Sequence, residues 1–237
     1  MLRKSNSTCA FTLVELLVVI SVIALLLGIL FPVLRKAKSK ADQVFCMHNL
    51  KQINLGMTFY LEANNDTYPC AQDPVSTNPF YWLWMGRGWR HFIEPYLVNN
   101  IDANNPSVLF CPADKKSKEI YDSTSYSYSM AFYHSPEQID AMNSVTDTYS
   151  NPQPSMPQRT INVARPRSKI IIGEWLSVHE PTDDEDLGWW CQQGRRNFLF
   201  ADGSTNFVKA EDILEARDGY PNPNLTVHGI RGMDISD

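Results

Sequence analysis

Apolar positions fall into three regimes along this chain. Residues 11–34 are almost continuously apolar, residues 35–62 carry apolar side chains at helical spacing, and the remainder breaks into short apolar runs between polar turns. The first regime, Phe11 to Leu34, holds 24 residues, about 36 Å of helix, enough to cross a hydrocarbon core of about 30 Å. It predicts a transmembrane helix. Its single charge is Glu15. An acidic side chain at the centre of such a helix costs about 2.5 to 3.5 kcal/mol, and less near an end. Glu15 therefore calls for a positively charged partner.

In the second regime Leu50, Ile53, Met57, Tyr60 and Leu61 recur at steps of three and four, with Lys51, Gln52, Asn54 and Glu62 on the other side. The pattern predicts one helix from the membrane to about Leu61, bent near Pro32, where the ring removes a donor and crowds the preceding turn. Asn64-Asn65-Asp66 ends it. Beyond, Trp89–Leu97 predicts a short helix, Val108–Cys111 a strand stopped by Pro112, and Ser125–Tyr133 a half-exposed strand. Lys169–Glu174 is the most apolar strand and is expected at the sheet centre. Asn197–Ala201 and Ser204–Val208 flank Asp202-Gly203, a hairpin signal because that dipeptide tolerates positive φ. Strands without intervening helices favour an α+β fold, an antiparallel sheet lying on the long helix. The expected segments are 1–10 as a leader, 11–34 as the span, 35–62 as its amphipathic extension and 63–237 as the globular domain.

Composition adds an ordinary folded domain: 43% of the residues are hydrophobic and 20% charged. The net charge is −5, and becomes −7 if Arg3 and Lys4 are removed, with 19 basic residues left against 26 acidic ones. That acidity argues against nucleic acid as an obligate partner.

The order of features at the N-terminus distinguishes export signals. A secretory signal peptide places its small-residue cleavage site after the apolar core. Here Cys9 and Ala10 precede the core, so cutting at Ala10/Phe11 removes only a short basic leader. The arrangement resembles the class III leader of type IV pilins and type II secretion pseudopilins. The resemblance implies a prepilin peptidase that cuts before Phe11 and methylates its new amine. It also implies pairing of Glu15, the fifth mature residue, with the N-terminal amine of a neighbouring subunit, and a helix bend at Pro32, mature position twenty-two. Ala10 departs from the usual Gly and implies slower processing. Arg35, Lys36, Lys38 and Lys40 outnumber Arg3 and Lys4, which by the positive-inside rule alone would put the globular part in the cytoplasm. The leader and the downstream cysteines support the opposite orientation: a cytoplasmic N-terminus and a periplasmic domain.

A narrower resemblance rests on Cys46, Asn49-Leu50-Lys51-Gln52-Ile53 and Tyr60, on Phe110-Cys111-Pro112, on Phe200-Ala201-Asp202-Gly203, and on the tail Pro223–Gly232. These are similar to the prepilin-type group whose C-terminal part is named for a His-x9-Asp-Gly motif. The motif's His position holds Gln192, which cannot act as a base. Four cysteines remain after cleavage, Cys46, Cys70, Cys111 and Cys191, and on the exported side they read as two disulfides with three possible pairings. Because Cys46 and Cys111 lie in the shared motifs, the resemblance implies the pairing Cys46–Cys111 and Cys70–Cys191. No Cys-x-x-Cys occurs and no His stands at ligand spacing from a Cys, so a zinc site is not expected.

No nucleophile elbow, zincin helix, Walker sequence or dinucleotide fingerprint is present, and the five histidines lie apart, so catalysis is not expected. Thr182–Asp186 offers calcium ligands at Asp183, Asp184 and Asp186, and the similar pseudopilins hold calcium in a loop near the C-terminus. The run lacks the ligand spacing of a dedicated calcium loop and reads first as a solvated one. Six tryptophans read as core and edge packing, with a carbohydrate surface as the other reading. The expectation is a pilin-like structural subunit, matured by prepilin peptidase and assembled with like or related subunits at the inner membrane and its assembly platform, into a type IV pilus or a type II secretion pseudopilus. The rival is a membrane-anchored polysaccharide-binding protein that never assembles.

Overall fold

A computed structural model describes residues 12–70, 87–97, 107–116, 124–144, 147, 154–180, 182 and 185–236. The leader, Ala10 and Phe11, Asp183 and Asp184, and Trp82 and Trp84 lie outside these residues. The chain divides at Ala41/Asp42 into two compact units.

Helix α1 spans Leu13–Ala63 and passes through Pro32 as one continuous helix. In its first unit the large apolar side chains, Leu13 through Leu34, are exposed. It is long and apolar enough to cross a membrane. In the second unit the same helix becomes one-sided. Cys46, Leu50, Ile53 and Met57 are buried together with Gln43, Asn49 and Gly56, the stripe that a 3.6-residue period produces. Asn49 reaches the core because its amide is satisfied there, donating to the Phe110 carbonyl at 3.1 Å and the Tyr126 hydroxyl at 3.3 Å. The helix stops where Asn65 and Asp66 take positive φ. Asp66 N and Asn64 N both donate to the Leu61 carbonyl, and the Asn64 side chain caps Tyr60 O at 2.7 Å.

Four antiparallel strands form one sheet in the order β1 (Tyr126–Tyr128), β2 (Ile170–Glu174), β3 (Arg195–Phe200), β4 (Thr205–Lys209). β2 is internal and buried along its whole length, as its unbroken isoleucine run requires. Gly173 lets β3 approach: a Cβ there would stand 2.2 Å from Phe198 Cδ1. The hairpin β3–β4 forms, with a longer connection than the Asp-Gly pair alone. Phe200 N donates to Ser204 O, Gly203 N to Phe200 O, and Gly203 takes φ +84°.

Two expected strands differ. Ser125–Tyr133 supplies only the three residues of β1, buried on both faces, before a 3-10 turn at Met130–Phe132 capped by Ser129. Its serines turn inward to backbone partners, Ser129 Oγ to Pro223 O at 2.6 Å and Ser125 Oγ accepting from Cys111 N at 3.0 Å, so their polarity did not mark a solvent face. Val108–Cys111 forms turns instead of a strand: Phe110 N closes on Ser107 O and Asn49 takes the Phe110 carbonyl. The expected short helix is present as α2, Arg87–Ile93, followed by a 3-10 turn Glu94–Tyr96. A further helix, α3 (Pro136–Ala141), starts with a capping box between Ser135 and Gln138.

The C-terminal tail is tied back by a buried charge pair. Lys169 Nζ lies 3.1 Å from Asp234 Oδ2 and donates to Thr226 Oγ1, while Asp234 also accepts from Ile170 N at 2.7 Å. Burial pulls the Lys169 ammonium below its usual range, and Asp234 opposes that pull.

Candidate functional site

The N-terminal end of α1 is closed by its own side chains. Thr12 is the N-cap and Glu15 the third helical residue, and each satisfies the other's backbone. Glu15 N donates to Thr12 Oγ1 at 3.2 Å, while Thr12 N and Oγ1 donate to Glu15 Oε2 at 2.9 and 2.8 Å. This is a capping box, with the carboxylate at the positive end of the helix dipole. The Thr-x-x-Glu spacing of Thr12 and Glu15 is the sequence signal for this cap. Farther along the span, Ser21 Oγ donates to Leu17 O at 2.7 Å, which spares the segment an unpaired hydroxyl. What this end of α1 presents is one exposed carboxylate, the only charge in the exposed apolar stretch Leu13–Leu34.

Residues 5–31 match the family model described as the prokaryotic N-terminal methylation motif. The N-terminus is of the prepilin type. No curated protein and no solved structure matches the chain. The prepilin-type match covers Ala10, Phe11 and Glu15 and ends just before Pro32, so the globular domain has to be read from its own geometry.

In that domain the expected Cys46–Cys111 disulfide is formed, across a sequence separation of 65 residues. The expected Cys70–Cys191 bond is not. Tyr128 donates to Pro69 O at 3.3 Å, which places Cys70 beside one end of the β1–β2 pair. Cys191 closes the turn Gly188–Trp190, whose Trp189 donates to Glu174 O at 2.8 Å at the other end of that pair. Asp186, offered as a calcium ligand, is engaged within the protein. It accepts from Ser177 N, from Gly188 N at 2.9 Å and from Arg196 Nη2 at 2.7 Å. Gln192, at the His position of the resembled motif, is exposed. Asp202 turns its carboxylate onto Ser204 N at 2.9 Å, organising the hairpin tip. Trp89, Trp175 and Trp189 are buried and pack on other rings, Trp89 near Tyr128 and Trp175 against Trp189 and Trp190.

A second constellation had no signal in the sequence. Glu174, at the end of β2, and His179, in the loop after it, meet at 2.9 Å between Oε1 and Nε2 with both side chains about 1% exposed. His179 Nε2 is also 3.4 Å from Cys111 Sγ. Asn197 of β3 fixes the carboxylate, its N donating to Oε2 at 2.8 Å and its Nδ2 to Oε1 at 3.0 Å, and the same amide donates to Gln43 O on α1 at 3.1 Å. Tyr126 pairs with Glu174 across the strands and donates to Cys46 O at 3.3 Å. Burial first, and the Glu174 charge second, hold its phenol well above the ordinary tyrosine range. Spacing along the chain excluded a His near a Cys, but folding brings together residues 68 positions apart.

Proposed function

We propose that the chain is a pilin-like structural subunit, cut between Ala10 and Phe11 by a prepilin peptidase, methylated on Phe11, and packed through α1 with like or related subunits into a type IV pilus or a type II secretion pseudopilus. The observation that carries this reading is Glu15, the one charge in the exposed apolar stretch Leu13–Leu34 of α1, at the fifth position after the small residue that ends the leader. A carboxylate in that setting is stabilised by a cation brought to it in low dielectric, and the amine released on Phe11 by cleavage is such a cation, supplied by a neighbouring copy. A second feature supports lateral packing. Val44, Phe45, Leu55 and Phe59 are exposed on the outer half of α1, opposite the buried stripe, where subunit packing would cover them. The membrane-anchored orientation proposed is single-pass, with the globular domain on the periplasmic side of the inner membrane. A tryptophan surface for polysaccharide loses Trp89, Trp175 and Trp189 to the core, which favours the structural subunit over a binding protein.

Mass spectrometry of the native protein tests the maturation step. The expected N-terminus is N-methylated Phe11, Ala10→Gly should speed processing, and a bulky residue at position 10 should block it. An intact Met1, or a cut after residue 31, would end the proposal.

A further inference from the structure

Cys46, Cys111, Glu174 and His179 place two sulfurs, an imidazole nitrogen and a carboxylate oxygen within 4.8 Å of one another, all from buried residues. They come from helix α1, the turns before β1, the last residue of β2 and the loop beyond it. We propose that the dithiol form of this domain binds one zinc-class divalent cation on these four atoms, so that the disulfide and the metal complex are alternative states of the same two sulfurs. This goes beyond maturation and assembly and does not depend on them.

The donor set is of the kind zinc takes, thiolate sulfur with imidazole nitrogen and carboxylate oxygen. A tetrahedron built from zinc's usual bond lengths has edges of about 3.3 to 3.8 Å between donor atoms. His179 Nε2 already stands 3.4 Å from Cys111 Sγ, and its 2.9 Å distance to Glu174 Oε1 needs to open only slightly. The one large change is between the two sulfurs, which separate once their bond is broken. The disulfide itself brings the two sulfurs together, and what the fold adds is the His179 imidazole against Cys111 Sγ with the Glu174 carboxylate behind it. The surrounding shell also suits a metal, because Asn197 holds both Glu174 oxygens through its N and Nδ2 and is itself anchored to Gln43. Such outer contacts orient a ligating carboxylate.

A dithiol reductant gives two electrons and two protons to the Cys46–Cys111 bond and leaves as its own disulfide. The cation then displaces both thiol protons to solvent and accepts lone pairs from the two sulfurs, His179 Nε2 and a Glu174 oxygen, with the imidazole proton on Nδ1. A disulfide-class oxidant reverses the step, taking two electrons from the thiolates as the metal departs.

The test uses the full-length chain in detergent, with Cys9→Ser, Cys70→Ser and Cys191→Ser so that only the two relevant thiols remain. The chain is reduced with a phosphine and titrated with Co²⁺, then Zn²⁺. The expected result is one cobalt per reduced chain, with thiolate charge-transfer bands and the strong visible bands of tetrahedral cobalt, displaced by zinc. The oxidised chain should bind none. His179→Ala and Glu174→Gln should each weaken binding by about tenfold or more, with circular dichroism reporting the fold. If reduction unfolds the domain, refolding on addition of zinc supports the proposal, and failure of zinc to restore the fold overturns it. No binding by the reduced chain, or binding left unchanged by both substitutions, overturns it equally.

Discussion

Glu15 caps Thr12 in the structure and would meet a second partner only in the proposed assembly, and one substitution separates the two roles. In the structure its carboxylate caps Thr12, a role worth about 1 kcal/mol that Gln also fills in a capping box. In the proposed assembly it neutralises a neighbour's amine, which Gln cannot do. Glu15→Gln and Glu15→Val are therefore both expected to insert in the membrane and be cleaved, yet to yield no filaments on electron microscopy. Normal filaments from Glu15→Gln would reduce the residue to a cap. His134 makes a prediction of another kind. It is buried, and burial pushes its imidazole from 6.5 down to about 4. Between those pH values the unfolded chain takes up a proton that the folded chain refuses. Stability is thus full above about pH 6.5 and declines as pH falls toward 4, by about 3 kcal/mol from this group. Melting followed across that range should show His134→Gln losing less than the parent, and an equal slope in both proteins would remove His134 as the cause.

At the scale of elements, features written in near-neighbour spacing were legible and those written in distant contacts were not. The buried stripe Leu50, Ile53, Met57 follows from helical period, and its loss is costly: Leu50→Ala should destabilise by about 2–5 kcal/mol. The stop at Asn64–Asp66 and the β3–β4 hairpin follow from residues that accept positive φ. Gly203 sharpens the second case. At φ +84° a side chain is strained, and a Cβ would stand 2.8 Å from Asn54 Nδ2. Gly203→Val is expected to cost more than 1 kcal/mol in urea unfolding, because the substituted residue meets both the strain and the helix. Val108–Cys111 misled because four apolar residues are compatible with either a strand or a tethered turn. Asn49 and the disulfide, contributed by a helix some 60 residues away, decide for the turn. The Glu174–His179 pair and its sulfurs were invisible for the same reason: each member is unremarkable locally, and only the packing of α1 against the end of β2 creates the group. The N-terminal site sits at the other extreme, since its charge, small residue and apolar run lie within a few positions of one another.

For the molecule as a whole, the one disulfide among the described residues bears on the folding of the second unit without touching the apolar span. Cys46–Cys111 links α1 to the turns that precede β1 across 65 residues. In the loop-entropy model that closure restricts the unfolded chain by roughly 4 kcal/mol, an upper figure because native strain subtracts from it. It is a large share of the about 5–15 kcal/mol by which a typical domain is stable. For a unit of this length the loss corresponds to a fall in melting temperature of about 8–16 °C. The measurement is thermal unfolding of the full chain in detergent, oxidised and reduced, with a chelator present so that no metal substitutes for the bond. A shift near zero would mean that the packing of Leu50, Ile53 and Met57 under the sheet already holds the helix without the crosslink. Under the proposed maturation, leader cleavage and insertion should be the same in a Cys46→Ser, Cys111→Ser protein, because residues 5–31 carry the N-terminal methylation motif and lie outside the closed loop. Peptide mapping without reductant supplies the independent check. A Cys46–Cys111 peptide is expected, and a Cys46–Cys70 crosslink would require α1 to meet the rest of the unit differently from the arrangement that joins Cys46, Cys111, Glu174 and His179.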